Sequence, residues 1–201
     1  MALEVEALEP KDLFGGAIRM DVPARLADVS DYRPVPDNQE VFSDGAQDQS
    51  LIVEILELHA SVSAPESASF YFADVASLNG DASPTLEARG SWEGGGPAEG
   101  SSELPAGTPI HWALGTQRAS KGRQGAEASN LVQVIVCCVR LAAQSTDLVI
   151  SLNTPMLISA QSAAAEHAGA GAKTLHQSAP RLFHAMLQTL SIRDWTLFGS
   201  P

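Results

Sequence analysis

The side chains of this sequence that are best suited to chemistry are carboxylates. Glu54 and Glu57 interrupt the otherwise apolar run 50–59, and four more acids lie in the proline-rich segment before it: Asp28, Asp31, Asp37 and Glu40. Burying an unpaired carboxylate is costly, so Glu54 and Glu57 must reach solvent or a cation. Two such groups could serve as the acid and base of a hydrolase, or they could bind a basic partner. For the loop acids, solvation and turn capping are the simpler explanation.

The relation between Glu54 and Glu57 depends on the element that carries them. In a helix, residues three apart share a face, whereas in a strand they point to opposite faces. The run SLIVEILELH is rich in β-branched residues, which favours a buried strand. A helix stays open as an alternative, because Asp48 or Ser50 could cap it.

Other catalytic or metal-binding patterns are weak. The five histidines lack the spacing of metal ligands: His59, His111, His167, His176 and His184. The segment 169–174, GAGAKT, is unlike a phosphate-binding loop because Ala172 separates the last glycine from Lys173. Cys137 and Cys138 are adjacent and are expected to be buried free thiols on opposite faces of a strand. The sequence therefore predicts no cofactor and no metal.

The charge balance bears on the kind of partner. The chain has 201 residues with 12 Lys and Arg against 24 Asp and Glu, a net charge of −12, and a pI near 4.7. This balance argues against nucleic acid and against an anionic membrane surface, and it favours a basic partner. No apolar run approaches a membrane span, and the acidic N-terminus lacks the features of a signal or transit peptide. We therefore expect a nuclear or cytosolic protein.

The apolar patterns predict an α+β protein. Strands are expected in or over 13–22 after the glycine pair, 39–43, 50–59, 108–119, 131–142 and 147–155, with the last two forming a hairpin. Helices are expected at 64–79, with Phe70, Phe72, Val75 and Leu78 on the apolar side, and at 178–192, with an apolar stripe of Leu182, Phe183, Met186, Leu187 and Leu190.

The domain organisation follows from length and composition. A chain of this length typically forms one domain, here residues 1–201. Glycine- and alanine-rich stretches predict flexible loops near 90–107 and 159–178. Helices in the first half and at the end would pack on the faces of an antiparallel sheet.

Several segments together resemble one protein family. They are LFGGA (13–17), DVSDYRPVPDNQEVF (28–42), DQSLIVEILEL (48–58), FADVASLN (72–79), SKGRQGAEASN (120–130), CCVRL (137–141), TDLVISLNTP (146–155) and DWTLFG (194–199). In this order they resemble the Ran guanine-nucleotide release factor family. The combination of VPDNQEVF with SLIVEILE is the most specific part, and the SKGRQG block is most similar to the plant and green-algal branch.

The resemblance implies both a fold and a function. The fold is an antiparallel sheet flanked by helices on both faces, an α/β/α sandwich similar to the PsbP-like fold, with 50–58 as a strand. The function is to bind the small GTPase Ran, promote release of its guanine nucleotide and support nuclear protein import, in the nucleus and also in the cytoplasm. Such release acts through binding and involves no covalent catalysis.

The resemblance also implies which residues contact Ran. The matching acidic positions are Asp28, Asp37, Glu40, Glu54 and Glu57. Arg33 and Arg140 fall in matching motifs and are expected to be structural or peripheral, because each could pair with an acid. Two other functions stay open: an adaptor of the same fold that binds another protein complex, and a hydrolase. A second Ran-binding protein stays open as a further partner, and a monomer is the expected state.

Overall fold

The elements of the fold are described here from a computed structural model, which covers residues 6–94, 104–105, 107–122 and 124–199. The strands are β1 (Leu8–Leu13), β2 (Ile18–Pro23), β3 (Ala27–Asp28), β4 (Gln39–Asp44), β5 (Gln49–Glu57), β6 (Thr85–Gly94), β7 (Thr108–Ala119), β8 (Asn130–Leu141), β9 (Thr146–Ile158), β10 (Gly171–Ala172) and β11 (Ser191–Ile192). The α-helices are α1 (Ser67–Leu78), α2 (Ala165–Ala168) and α3 (Ala179–Leu187).

A large antiparallel sheet forms the centre of the molecule. Its strand order is β3-β4-β5-β9-β8-β7-β6, and β10 also pairs with β9. The run 50–59 is therefore a strand, as its β-branched residues predict, and β8 and β9 form the expected hairpin. A second sheet, with order β1-β2-β11, brings the two ends of the described chain together.

The large sheet is covered on both faces. On one face, β8 residues Cys137 and Val139 join a core with α3 and the small sheet. On the other, Val136 and Cys138 pack with Tyr71 and other residues of α1. The two cysteines are buried, free and on opposite faces, as expected from strand alternation. The arrangement is the predicted α+β fold, with helices on both sides of an antiparallel sheet.

The two long helices differ in how well their sequence predicts the buried side. The expected stripe of α3 is buried in full: Leu182, Phe183, Met186, Leu187 and Leu190. The helix itself is shorter than predicted, because residues 191–192 form β11. For α1 the predicted side is wrong in part: Ala68, Tyr71, Phe72 and Ala76 are buried, whereas Leu78 is 81% exposed. Leu78 is two residues after Ala76, which is about 200° around the helix, so it points away from the buried side.

Two segments that were expected to be flexible loops carry regular structure in the described part of the chain. Residues 90–94 belong to β6, and Gly90 lies opposite Trp112 of β7. A Cβ at Gly90 would come within 2.6 Å of the Trp112 ring, so the glycine makes room for an aromatic side chain rather than marking a loop. Residues 95–103, within the same expected loop, lie outside the described residues. In the second segment, 159–178, α2 and β10 form, and β10 pairs with β9.

Candidate partner-binding surface

The hairpin of β4 and β5 carries three of the five predicted contact residues. In its register Gln39 lies opposite Glu54, and Glu40 lies opposite Val53. Paired residues share a face, and successive residues alternate between faces. Glu54 therefore faces α1, whereas Glu40 faces the small sheet with Val53. Glu57 is three positions from Glu54 and falls on the Glu40 face, so Glu54 and Glu57 cannot act together as the acid and base of a hydrolase.

Glu54 is half-buried and accepts a hydrogen bond from a neutral side chain. Its Oε1 accepts a hydrogen bond of 2.6 Å from Nε2 of Gln39. Among the described residues, no Lys, Arg or His forms an ion pair with it. Partial burial raises the pKa of Glu54, the bond from Gln39 opposes this rise, and the nearby charge of Asp74 on α1 adds to it. The site is a desolvated negative charge that a cation from outside would stabilise.

Glu40 is engaged within the protein. Its Oε1 accepts a hydrogen bond of 2.5 Å from the backbone N–H of Phe14. Phe14 has a φ of +50°, an unusual conformation for a residue with a side chain, and it begins a tight turn with Gly15 and Gly16. Burial raises the pKa of Glu40, the Phe14 bond lowers it, and the charge of Asp28 raises it. This carboxylate holds the turn that joins β1 to β2.

The remaining predicted residues lie around the same edge of the sheet. Asp28 accepts a 2.8 Å bond from the N–H of Ser30 and caps the 3₁₀ helix at Val29–Asp31, as loop aspartates typically do. Asp37 is exposed in the turn before β4, and Glu57 is exposed at the end of β5. All five acids thus belong to the β3–β4–β5 edge. The structure brings Asp28 close to Glu40, but it separates both from Glu54.

Arg140 forms a buried ion pair. Its Nε and Nη2 donate to the two oxygens of Asp147 at 2.8 and 2.7 Å, and Nη1 donates to the carbonyl of Val62. Tyr71 of α1 donates its hydroxyl to Asp147 at 2.9 Å. Burial alone would raise the pKa of Asp147, but the bonds from Arg140 and Tyr71 and the Arg140 charge hold it below its ordinary value. Arg140 is therefore structural, one of the two roles expected for it.

Sequence reasoning missed the two residues that set the environment of Glu54. Gln39 is part of the motif VPDNQEVF, but only the strand register shows that it faces Glu54. Asp74 belongs to α1, and its effect on Glu54 depends on how this helix lies over the sheet. Within the described residues, no three His, Cys, Asp or Glu side chains gather as metal ligands would. No described helix is both long enough and apolar enough to cross a membrane.

Comparison with known proteins gives consistent matches. The model of the family described as "Mog1: Ran-interacting Mog1 protein" matches residues 11–155. The "Ran guanine nucleotide release factor" of Danio rerio is 35% identical over 197 residues, which cover 94% of this chain and 99% of the relative. The "Nuclear import protein mog1" of Schizosaccharomyces pombe is 35% identical over 147 residues, covering 72% and 75%.

Solved structures agree with the fold. The Ran-binding protein Mog1p of Saccharomyces cerevisiae superposes with a TM-score of 0.70 at 25% identity, covering 96% of this chain and 100% of the other. The cyanobacterial PsbP of Synechocystis superposes with a TM-score of 0.53 at 14% identity, covering 96% of both chains, which shows a shared fold alone. The expected PsbP-like architecture is confirmed. By the match over residues 11–155 and over nearly the whole length of the Danio rerio relative, this chain belongs to the Ran-interacting Mog1 family.

Proposed function

We propose that this protein binds the small GTPase Ran and promotes release of its guanine nucleotide, and that it thereby supports nuclear protein import. The family description and the names of the relatives from Danio rerio and Schizosaccharomyces pombe support this function. The net charge of −12 supports a basic surface on the partner, because complementary charge accelerates encounter. The protein acts in the nucleus and in the cytoplasm.

The observation that carries the proposal is the state of Glu54. This carboxylate is half-buried, has one amide partner and lies near a second acid. It has therefore already lost part of its hydration in the free protein, so that binding a partner requires less further desolvation. A Lys or Arg of Ran would neutralise it, whereas an acidic partner would be repelled. Glu57 is exposed on the opposite face of β5, and Asp37 is exposed in the turn before β4, so negative charge lies on both sides of this part of the sheet. Glu40 and Asp28 add charge on the Glu57 side, and they also accept hydrogen bonds from backbone N–H groups of this protein.

The mechanism is differential binding. The protein binds the nucleotide-free conformation of Ran more tightly than the nucleotide-bound conformation, so that binding shifts the population towards the free state and the nucleotide dissociates. By linkage, the nucleotide weakens the complex by the same factor. No covalent bond is formed or broken, and the protein works without a cofactor and as a monomer.

The test is release of a fluorescent guanine nucleotide from purified Ran. We expect the wild-type protein to accelerate release and Glu57→Lys to abolish the acceleration while remaining folded. The matched control is Glu87→Lys, which makes the same charge change at an exposed residue of β6, the opposite edge of the large sheet. Loss of activity in both variants would indicate a general charge effect. An unchanged rate with Glu57→Lys would remove this residue from the contact surface.

The same experiment separates the alternative function. If the wild-type protein neither accelerates release nor forms a complex with Ran at micromolar concentration, the protein has the family fold without the activity. An adaptor that binds another protein complex would then be the better assignment. Fractionation of the tagged protein between nucleus and cytoplasm tests the proposed location independently.

A further inference from the structure

A groove runs along the face of the large sheet beside α1, in the direction away from the Arg140–Asp147 pair. Its volume is about 340 Å³. Its floor is formed by three neighbouring strands: β5 and β8 contribute apolar side chains, and β9 between them contributes polar ones. The floor residues are Ile52, Val132, Val134, Ser151 and Asn153. Val75 and Leu78 of α1 form one wall. A groove with both apolar and polar side chains can hold a residue that combines an aliphatic stem with a polar end.

The two ends of the groove differ in charge. Near one end, Asp48 forms an ion pair of 2.8 Å with Lys121, so the two charges there compensate each other. Towards the other end lies Glu54, which no cation among the described residues balances, with the additional negative charge of Asp74. The electrostatic character of the groove is therefore polarised, and its uncompensated end selects a positive group.

The wall of the groove has an unusual exposed residue. Leu78 is 81% exposed, more than any other large hydrophobic side chain in the described part of the chain. It is in the last turn of α1, whose Asn79 cap also lines the groove. A leucine this exposed gains nothing from the fold itself, whereas covering it with a partner would remove apolar area from water.

We propose that this groove receives a basic side chain of Ran, either Lys or Arg, together with a neighbouring apolar side chain from the same segment. This inference rests on the proposed function. The charged group pairs with Glu54 while its methylene stem lies on Ile52 and the floor, since Lys and Arg combine an aliphatic stem with a charged end. The apolar neighbour packs against Leu78. Charge complementarity at one end and the apolar side chains of β5, β8 and α1 thus specify one kind of occupant.

The test compares Leu78→Ser and Glu54→Gln in binding to Ran and in nucleotide release. We expect each to weaken the affinity for Ran at least about fivefold, the effect of removing a significant interface side chain, with an unchanged melting temperature. Two controls match them. Leu157→Ser alters an exposed leucine outside the groove, and Glu87→Gln removes a charge from β6. Both controls should bind as the wild type does. Should Leu78→Ser lower the melting temperature, the smaller change Leu78→Ala replaces it.

Each outcome decides a different point. If the wild-type protein binds Ran and Glu57→Lys does not, but both groove variants bind normally, the groove inference is wrong and the proposed function stands. If Leu78→Ser weakens binding and Glu54→Gln does not, the basic occupant is wrong. A wild-type protein that fails to bind Ran overturns the proposed function and the groove assignment together.

Discussion

Two carboxylates on the same face of the large sheet differ in their burial and in their hydrogen-bond partners. Leu56 of β5 lies opposite Asp147 of β9, and Glu54 is two residues before Leu56, so the two acids occupy neighbouring strands on the α1 side. Asp147 is fully buried and receives three hydrogen bonds from Arg140 and Tyr71. Glu54 is half-buried, and its one described side-chain partner is the amide of Gln39.

The difference distinguishes an acid that is paired within the fold from one that has no ion-pair partner among the described residues. The environment of Asp147 holds its pKa below the ordinary value, whereas that of Glu54 raises it. A cation within the fold stabilises the first charge, whereas no Lys, Arg or His of the described residues forms an ion pair with the second. Degree of burial alone would rank Asp147 as the more unusual residue. The balance of hydrogen-bond and ion-pair partners is the reason that we propose Glu54, and not Asp147, as a contact for Ran.

The largest effect is expected from removing the internal cation. Arg140→Met should lower the free energy of unfolding by about 3–5 kcal/mol, because it leaves the buried charge of Asp147 unpaired. Urea denaturation followed by circular dichroism measures this. The control is Arg33→Met at an exposed loop position, which should stay within about 0.5 kcal/mol of wild type. Similar stability of Arg140→Met and wild type would show that Asp147 does not depend on its partner.

A smaller loss is expected from the tyrosine of the same network. Tyr71→Phe removes the hydroxyl that donates to Asp147 and keeps the ring in the α1 core. A hydrogen bond to a charged group contributes about 1.5–3 kcal/mol, so unfolding should become easier by that amount. The same change at Tyr32, which is 79% exposed, provides the matched control and should have no effect. Equal effects at both positions would contradict the role given to the buried hydroxyl.

The smallest effects on stability are expected from a change of pH and from substitution of Glu54. Lowering the pH should destabilise the protein through Asp147 and stabilise it through Glu54. The folded-state pKa of Asp147 lies below the ordinary 3.8, so its contribution to stability is present above that value and is lost as pH falls through the folded pKa. The pKa of Glu54 is raised above 4.5, so its charged form disfavours folding at neutral pH and protonation relieves this.

Glu54→Gln should therefore leave stability at pH 7 unchanged or slightly higher, within about 0.5 kcal/mol, because the group is partly solvent-screened. Asp147→Asn should lower it at the same pH. Denaturation curves at pH 7 and pH 4 check the sign for Glu54→Gln, and curves at pH 7 and well below pH 3.8 check it for Asp147→Asn. A clear loss of stability in Glu54→Gln at pH 7 would mean that the carboxylate of Glu54 stabilises the fold, which would contradict the view that it lacks a stabilising partner within the protein.

The elements that were predicted well are those whose signal is local. The stripe of α3 repeats with helical spacing, and β8 and β9 are long apolar runs joined by a short turn, so neighbouring residues suffice to define them. The predictions failed where a distant residue decides. The composition around Gly90 predicts a loop, but Gly90 belongs to a strand and faces Trp112 of the neighbouring strand. The apolar pattern predicts that Leu78 is buried, but the side of α1 that packs on the sheet does not include it.

The sequence by itself determined the fold class, the family and the five acidic candidates, because these depend on residue types in a fixed order along the chain. Only the tertiary structure decided which backbone groups, side chains and charges surround each acid. Glu40 pairs with Val53, the residue before Glu54, so the two glutamates point to opposite faces of the sheet. Glu40 therefore lies beside the Phe14 N–H, and Glu54 lies in the groove beside α1. The physical reason is that an acid's charge state and availability depend on desolvation and on nearby cations, and these come from strands and helices far apart in the chain.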